Sequence, residues 1–245
     1  MENRDYSQII GQPSASYENA LAAQCGLATN YFAITHPSLP NYIALTSGDT
    51  QGIADDQGPG AHQLDVESIF SQLGTGGWRS LEESMPATHN CSLVNSGLYV
   101  VRHNPAAYYT NIRTDCGIYD VRLGSVPDIS ARFTFITPNK CNDTHDCPVA
   151  TGDDWLKAFI PKLTSSPEYQ AGSTAIFVTW DEDDSGDTGN QIPTFVIAPS
   201  TAPGTQGAPT FSHYALLHTT EEMLGLPFIG GAGAAPSMRS DFNLG

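Results

Sequence analysis

Residues Ala175 to Asp187 (AIFVTWDEDDSGD) join an apolar run to a block of carboxylates. Ala175 to Trp180 is β-rich and reads as a strand buried on both faces. It delivers Asp181, Glu182, Asp183 and Asp184 in succession. Adjacent carboxylates repel one another, and an apolar strand is a costly place to present them. A bound cation relieves that cost, and oxygen-rich clusters suit hard or borderline divalent metals. The competing reading is an acidic solvated turn between two strands.

A hydroxyl stands in a second chemically useful place. Tyr31 to Thr35 reads as a short strand. Tyr42 to Ser47 reads as a helix, with Pro40 suited to the first turn and Gly48 to the stop. Ser38 then falls at a strand-to-helix turn, where helix N–H groups and the dipole favour an anion. A plain capping serine is the alternative. A third cluster follows the strand Arg132 to Thr137, where Asp143 and His145 lie between Cys141 and Cys147. Parallel strands would bring all three clusters to one crevice beyond their carboxyl ends.

That combination suits phosphoryl transfer. A metal lowers the pKa of the hydroxyl, binds a phosphate oxygen and neutralises charge on the leaving group. Histidines hydrogen-bond the other oxygens or protonate the leaving oxygen. Carboxylates holding calcium for structure alone are the alternative, so the nucleophile reading depends on Ser38 lying near the metal.

Strands alternating with helices must position these groups. Residues 14–28 have helical spacing through Tyr17, Leu21 and Cys25, with Ser14 or Ser16 as cap. Val66 to Leu73 reads as a helix and Trp78 to Leu81 as a strand. Asp153 caps a helix to about Thr164. Thr194 to Ala198 is a strand, and Pro203 to Thr210 a Pro/Gly loop. His213 opens an amphipathic helix that Gly225 stops. The alternation predicts an α/β fold with a mainly parallel sheet. Segment 82–128 is irregular and is expected to cap the site.

Composition narrows the function classes. The chain has 245 residues, enough for one large α/β domain. A net charge of −16 argues against a nucleic-acid surface, which needs basic stripes. It also argues against broad attraction to anionic membranes. With ten Lys and Arg residues, a metal is the economical positive centre for an anionic substrate. Five cysteines read as Cys91–Cys116 and Cys141–Cys147 disulfides with Cys25 free, which favours an oxidising compartment. A reduced protein or a Cys/His metal site is the alternative, although no Cys-x-x-Cys pair supports structural zinc. The sequence shows no signal peptide or membrane span. An exported protein would be in its mature or trimmed form here.

Several motifs together resemble one family. Met1 to Gly11 resembles the opening Glu-Asn motif of the phosphoesterase family, which holds acid phosphatases and non-specific phospholipases C within the alkaline phosphatase superfamily. Thr35-His36-Pro37-Ser38-Leu39-Pro40-Asn41-Tyr42 with Thr46-Ser47-Gly48 resembles its nucleophile segment. Arg102-His103-Asn104-Pro105, Asn142-Asp143-Thr144-His145-Asp146, Thr179-Trp180-Asp181-Glu182 and Ser212-His213-Tyr214-Ala215-Leu216-Leu217 follow in order. The matches run from residue 1 to about 227.

The resemblance implies a three-layer α/β/α phosphoesterase domain over 1–245. It implies a divalent ion (calcium, zinc, magnesium or manganese) held by Glu2, Asn3, Asp181 and Glu182. Ser38, chosen over Thr35, is implied as nucleophile, with His103 and His145 as phosphate ligands or leaving-group acid. Asp143 and His213 either complete the metal site or support it. Asn41 and His213 are expected to face the substrate, and Asp183, Asp184 and Asp187 to lie in a solvated loop. His213 as a mere helix start, and His103 as a surface turn, are the competing readings. The family also has an apolar strand ahead of its Glu-Asn pair, where this sequence has only Met1.

The expected activity is metal-dependent hydrolysis of phosphate esters through a phosphoseryl intermediate, of acid phosphatase or phospholipase C type. Expected partners are phosphorylated small molecules or phospholipid head groups, outside the cell or in the periplasm. A catalytically silent, calcium-stabilised extracellular binding domain is the reading from another class. A sulfate or phosphonate ester hydrolase on the same scaffold is a third.

Overall fold

Apolar runs set the strands at residues 133–137, 176–179 and 194–197. The computed structural model describes residues 1–184 and 189–245, so Asp187 of the acidic loop lies outside the described residues. Helices α1 (Tyr6–Ile9) and α2 (Ser16–Gln24) come first, followed by strands β1 (Gly26–Ala28) and β2 (Tyr31–Phe32). Helices α3 (Ser38–Ser47) and α4 (Ile69–Leu73) lead to β3 (Trp78–Glu82). Then come α5 (Arg113–Tyr119), β4 (Asp120–Arg122) and β5 (Phe133–Thr137). Helices α6 (Val149–Thr164) and α7 (Pro167–Gln170) precede β6 (Ile176–Thr179) and β7 (Thr194–Ile197). Strands β8 (Thr205–Gly207) and β9 (Phe211–Ser212) and helices α8 (His213–Leu224) and α9 (Arg239–Phe242) complete the order.

The strands are ordered β6-β7-β1-β8, β4-β3-β5 and β2-β9. β3 runs parallel to both β4 and β5, β1 to β8, and β2 to β9. Only β7 pairs antiparallel among the described residues, with β1 and β6. The fold is α/β with mainly parallel sheet segments, as the alternation of elements predicts. Helix α2 packs with α6, and α3 with α8. These pairs bury Leu21, Leu156, Phe159 and Ile160 in one cluster and Leu39, Ile43 and Leu217 in another.

Two regions differ from expectation. Gly26 to Ala28, expected as the end of a helix, is strand β1. Cys25 is already extended, and Leu27 and Ala28 bury their side chains while pairing with β7. A Cβ on Gly26 would lie 2.6 Å from the Phe242 ring, so tertiary packing overrides the helical spacing there. Segment 82–128 is more regular than an unstructured cap. It supplies α5 and edge strand β4, and Tyr99, Val101, Tyr108 and Tyr109 enter the second core cluster. The Pro203–Thr210 loop likewise yields the short strand β8.

The Cys91–Cys116 and Cys141–Cys147 disulfides form with S–S distances of 1.95 and 2.02 Å, and Cys25 is free. Among the described residues no helix is long and apolar enough to cross a membrane.

Candidate active site

Ser38 is placed by its helix. Pro37 caps α3, so Ser38 is its first residue, and Pro40 loses no ladder bond in the opening turn. Gly48 closes the helix at φ 73°, donating its N–H to Ala44 C=O at 2.9 Å. A side chain there would meet the Ile229 carbonyl, 2.3 Å from an ideal Cβ. Asn41 holds the approach to Ser38. Its Oδ1 accepts from Ile34 and Thr35 N–H, and its Nδ2 donates to Thr35 and Pro37 C=O. All four hydrogen-bonding positions of that amide are taken by backbone, so Asn41 shapes the turn rather than offering a substrate contact.

The acidic groups come from three directions. Met1 runs beside the end of β6, where Asp181 N–H donates to Met1 C=O at 3.0 Å. Glu2 N–H donates to Asp143 C=O at 2.7 Å, and Thr144 Oγ1 donates to Glu2 C=O at 2.8 Å. Asn3 sits at φ 46°, a left-handed conformation that Asn tolerates, and donates its N–H to Asp181 Oδ1. Ser38 Oγ, 2% exposed, lies 3.2 Å from Glu2 Oε2 and 3.2 Å from Glu182 Oε1. Thr35, by contrast, turns its hydroxyl to a neighbouring carbonyl at the surface.

The histidines take distinct places. His103 is buried, with Nε2 3.2 Å from Glu2 Oε2 and Nδ1 3.3 Å from Asp143 Oδ2. Those contacts are close without the alignment of hydrogen bonds, and both ring nitrogens lack a partner. His145 lies at the edge of the site, its ring centroid 6.0 Å from that of His103. Its Nε2 accepts from Arg102 at 3.1 Å, and its Nδ1 faces Asp146 at 2.7 Å. The Cys141–Cys147 bridge closes the short loop carrying Asp143 and His145. His213 is one layer back. Nε2 must donate to the Asp181 carbonyl at 2.7 Å, which leaves Nδ1 to accept from Tyr31 O–H. Burial pushes its pKa down to about 4, so His213 is a neutral support for the Asp181 backbone.

Burial and mutual repulsion set the charge state of this group. Burial first, then Asp181 and Asp143, hold Glu2 well above the usual carboxylate range. Burial pushes Asp143 up to about 7. Burial, then Asp181, pushes Glu182 up to about 9. Burial, reinforced by Arg102, holds His103 well below its ordinary value. Asn3 Oδ1, Asp143 Oδ2 and Asp181 Oδ2 are buried without hydrogen-bond partners. One ligand atom each from Glu2, His103 and Asp143 falls within 4.8 Å of the others. Oxygen-rich, partly orphaned and anionic, this donor set fits a divalent ion.

Three neighbours had no role assigned from sequence. Tyr42 donates its hydroxyl to Glu2 Oε1 and stacks on His103 at 5.4 Å between centroids. Arg102 brings a guanidinium to the His145 side, 3.6 Å from Asp56. His36 Nδ1 lies 2.6 Å from Glu182 Oε2, with Nε2 3.3 Å from Asp183 Oδ1. All three stand in quoted motifs, and their position beside a reactive residue was the available signal. Asp183, expected in a solvated loop, is fully buried. Its N–H and Oδ2 pair reciprocally with Asn190, which folds it under the site. Asp184 is exposed as expected.

The buried hydroxyl of Ser38, at the start of α3, thus lies between the carboxylates of Glu2 and Glu182. The Phosphoesterase family model matches residues 8–227, and the chain belongs to that family, a class of phosphoric ester hydrolases. The chain is 35% identical over 243 residues to a phosphatidylinositol-3-phosphatase of Mycobacterium tuberculosis, spanning 96% of this chain and 78% of that protein. It is 30% identical to a phosphate-repressible acid phosphatase of Penicillium chrysogenum, spanning 94% of this chain and 58% of that one. It therefore spans little more than half the length of its fungal relatives. A solved alkaline phosphatase superfamily protein from Vibrio parahaemolyticus superposes with a TM-score of 0.59 at 14% identity. That match covers 99% of this chain and 70% of the other. A phosphonate monoester hydrolase from Silicibacter pomeroyi gives 0.56 at 12% identity, over 93% and 71%. At such identities these two structures show the fold.

Proposed function

We propose that this chain is a metal-dependent phosphomonoesterase that works through a phosphoseryl intermediate on Ser38. The observation that carries this reading is the place of Ser38 Oγ, equidistant from Glu2 and Glu182 carboxylates. A serine hydroxyl has one proton, so it can donate to only one of them. The other can pair with the same oxygen only by keeping a proton of its own, as the upward shifts of Glu2 and Glu182 allow, and a cation between them would take the place of that proton. Glu2, Asn3, Asp181 and Glu182 would hold the ion, with Asp143 beside them. When bound, a divalent ion supplies Lewis acidity and neutralises charge on the transferring phosphoryl group.

The rest of the reaction falls to the chain. Either neighbouring carboxylate can take the Ser38 proton as Oγ attacks phosphorus. The Arg102 guanidinium binds the non-bridging oxygens. The P–O ester bond breaks, and His145, at the open side and protonated at Nε2 once Arg102 turns from it to the phosphate, gives the leaving oxygen its proton. Water then attacks phosphoserine, releasing phosphate and restoring Oγ–H. Ser38 and His103 are only 2% and 1% exposed, which suits a terminal phosphate entering end-on better than a phosphate esterified on both sides. Two disulfides support function outside the reducing cytosol.

A panel of p-nitrophenyl phosphate, bis-p-nitrophenyl phosphate, p-nitrophenyl sulfate and phosphatidylinositol 3-phosphate, run with chelator and metal add-back, tests the reading. Metal-restored turnover of monoesters, lost by at least about 10³-fold in Ser38→Ala, is expected. Normal turnover in Ser38→Ala sinks the nucleophile assignment. Preference for the diester or the sulfate sinks the substrate class.

A further inference from the structure

Helix α3 carries Ser38 but does not cap itself. Pro37 stands at the N-cap without a side-chain hydrogen bond, and Pro40 has no N–H. The missing acceptor comes from Asp56, 17 residues beyond Leu39, whose Oδ1 takes the Leu39 N–H at 3.0 Å. Its other oxygen, Oδ2, lies 3.6 Å from Arg102 Nε. That nitrogen is buried without a hydrogen-bond partner, which leaves the Asp56 carboxylate to balance it.

The loop that presents Asp56 is held on both sides. Asp55 Oδ1 accepts from Gln57 N–H at 2.9 Å and faces His62 Nε2 at 2.6 Å. Gln57 C=O accepts from the buried Tyr108 hydroxyl at 3.1 Å. One fixed carboxylate thus joins the helix of the nucleophile to the guanidinium that binds phosphate. Only a carboxylate serves both contacts. Leu39 N–H and Arg102 Nε–H are both donors, and an amide of the same shape offers one acceptor end. Arg102 also gives an Nη2 proton to His145 Nε2 at 3.1 Å, a bond it surrenders on turning to phosphate. Asp56 is the partner that stays at Nε while the far nitrogens move.

We infer that Asp56 is a positioning residue, whose carboxylate holds Arg102 by Nε and the first turn of α3 by Leu39 N–H so that guanidinium and Ser38 Oγ meet one phosphoryl group together. The inference rests on the phosphomonoesterase reading and adds to it a residue that acts through Arg102. The Asp56 charge opposes an arriving anion, so it does not strengthen binding of the substrate. Its effect belongs to the transition state, where a small misplacement of a charged partner costs rate.

A double-mutant cycle of Asp56→Asn and Arg102→Ala, at fixed metal concentration, tests it. The Asn variant keeps the acceptor for Leu39 and turns an NH2 group toward Arg102 Nε. With p-nitrophenyl phosphate, kcat should fall about 10-fold while KM stays within about threefold. In the Arg102→Ala background the same change should alter kcat by less than about twofold. An unchanged kcat in the parent background, or the same fall in both backgrounds, overturns the inference. Orthovanadate takes the five-coordinate geometry of the transferring phosphoryl group and reads the same cycle by calorimetry without turnover. Its affinity should fall about 10-fold with Arg102 present and by less than about twofold without it. Should no monoester be hydrolysed while this coupling holds, the phosphomonoesterase reading fails and the placing of Arg102 by Asp56 stands. A flat cycle with normal turnover refutes the role of Asp56 alone. A parent that neither turns over nor binds vanadate overturns both. Asp56→Ala, which also frees Leu39 N–H, should lower Tm more than Asp56→Asn. An Asn variant that melts as low as the Ala variant, or does not fold, makes the carboxylate structural and overturns the inference.

Discussion

Glu18 gives the sharpest test of how this fold handles its excess acid. It lies in α2, fully buried, and burial first and the Asp153 charge second push it from 4.5 up to about 8. The unfolded chain releases this proton near pH 4.5, while the folded chain keeps it to about pH 8. Across that window the folded state binds more protons, so stability is greatest at the acid end and falls as pH rises through about 8. A separation of about 3.5 pH units corresponds to about 5 kcal/mol. Glu18→Gln keeps the shape and removes the proton. A buried amide without a partner costs roughly 1–3 kcal/mol, which leaves a net gain of a few kcal/mol at pH 8. For a chain of this size that is a Tm increase of roughly 5–10 °C at pH 8, fading toward pH 4.5. Melting curves of the parent and variant from pH 4 to 9, at fixed metal concentration, measure it. Parallel curves at all pH values would refute the reasoning. Asp120 and Glu221, each pushed up to about 7 chiefly by burial, act in the same direction. His213 acts in the opposite direction, since a buried histidine held down at about 4 loses stability as pH falls below the ordinary histidine range.

Three further outcomes bear on the site. Chelation should lower both Tm and turnover, with recovery on adding a divalent ion. Unchanged melting in chelator would remove the metal from the account. Tyr42→Phe keeps the stack on His103 but deletes the hydroxyl bonded to Glu2. Metal affinity, measured by titration calorimetry, should fall about 10-fold or more, as for other groups that orient a ligand. Arg102→Ala should raise KM for a phosphomonoester by about 10-fold or more with little change in Tm, through loss of a charge-assisted phosphate contact. An unchanged KM would take Arg102 out of substrate binding.

The sequence was most legible where a local rule and the tertiary fold agree. Helix α3 carries Pro40 and Gly48 at the positions its ends require, and α8 opens at His213 and stops at Gly225 as read. Strand β6 was visible as an apolar run, although it is mostly half-buried where burial on both faces was expected. Legibility failed where burial came from distant residues. Gly26 to Ala28 continues a helical spacing, and only pairing with β7 makes it a strand. Segment 82–128 has no single period, since its core contacts come through turns and the Cys91–Cys116 bridge. The same limit applied in the site. Asn41 looked like a substrate contact, yet its amide is occupied by the backbone of residues 34–37. Asp183 looked solvated because its neighbours are charged, and its pairing with Asn190 lies across a loop. Tyr42, Arg102 and His36 gain their roles only when strands from opposite ends of the chain meet.

The central claim is that Ser38 carries the phosphoryl group between substrate and water. Acid quenching during turnover of a phosphomonoester, followed by peptide mass analysis, tests it directly. The account predicts a phosphoryl group on the peptide containing Ser38, present with metal and absent after chelation. Steady turnover with no phosphopeptide at Ser38, or with the label on another residue, would contradict it.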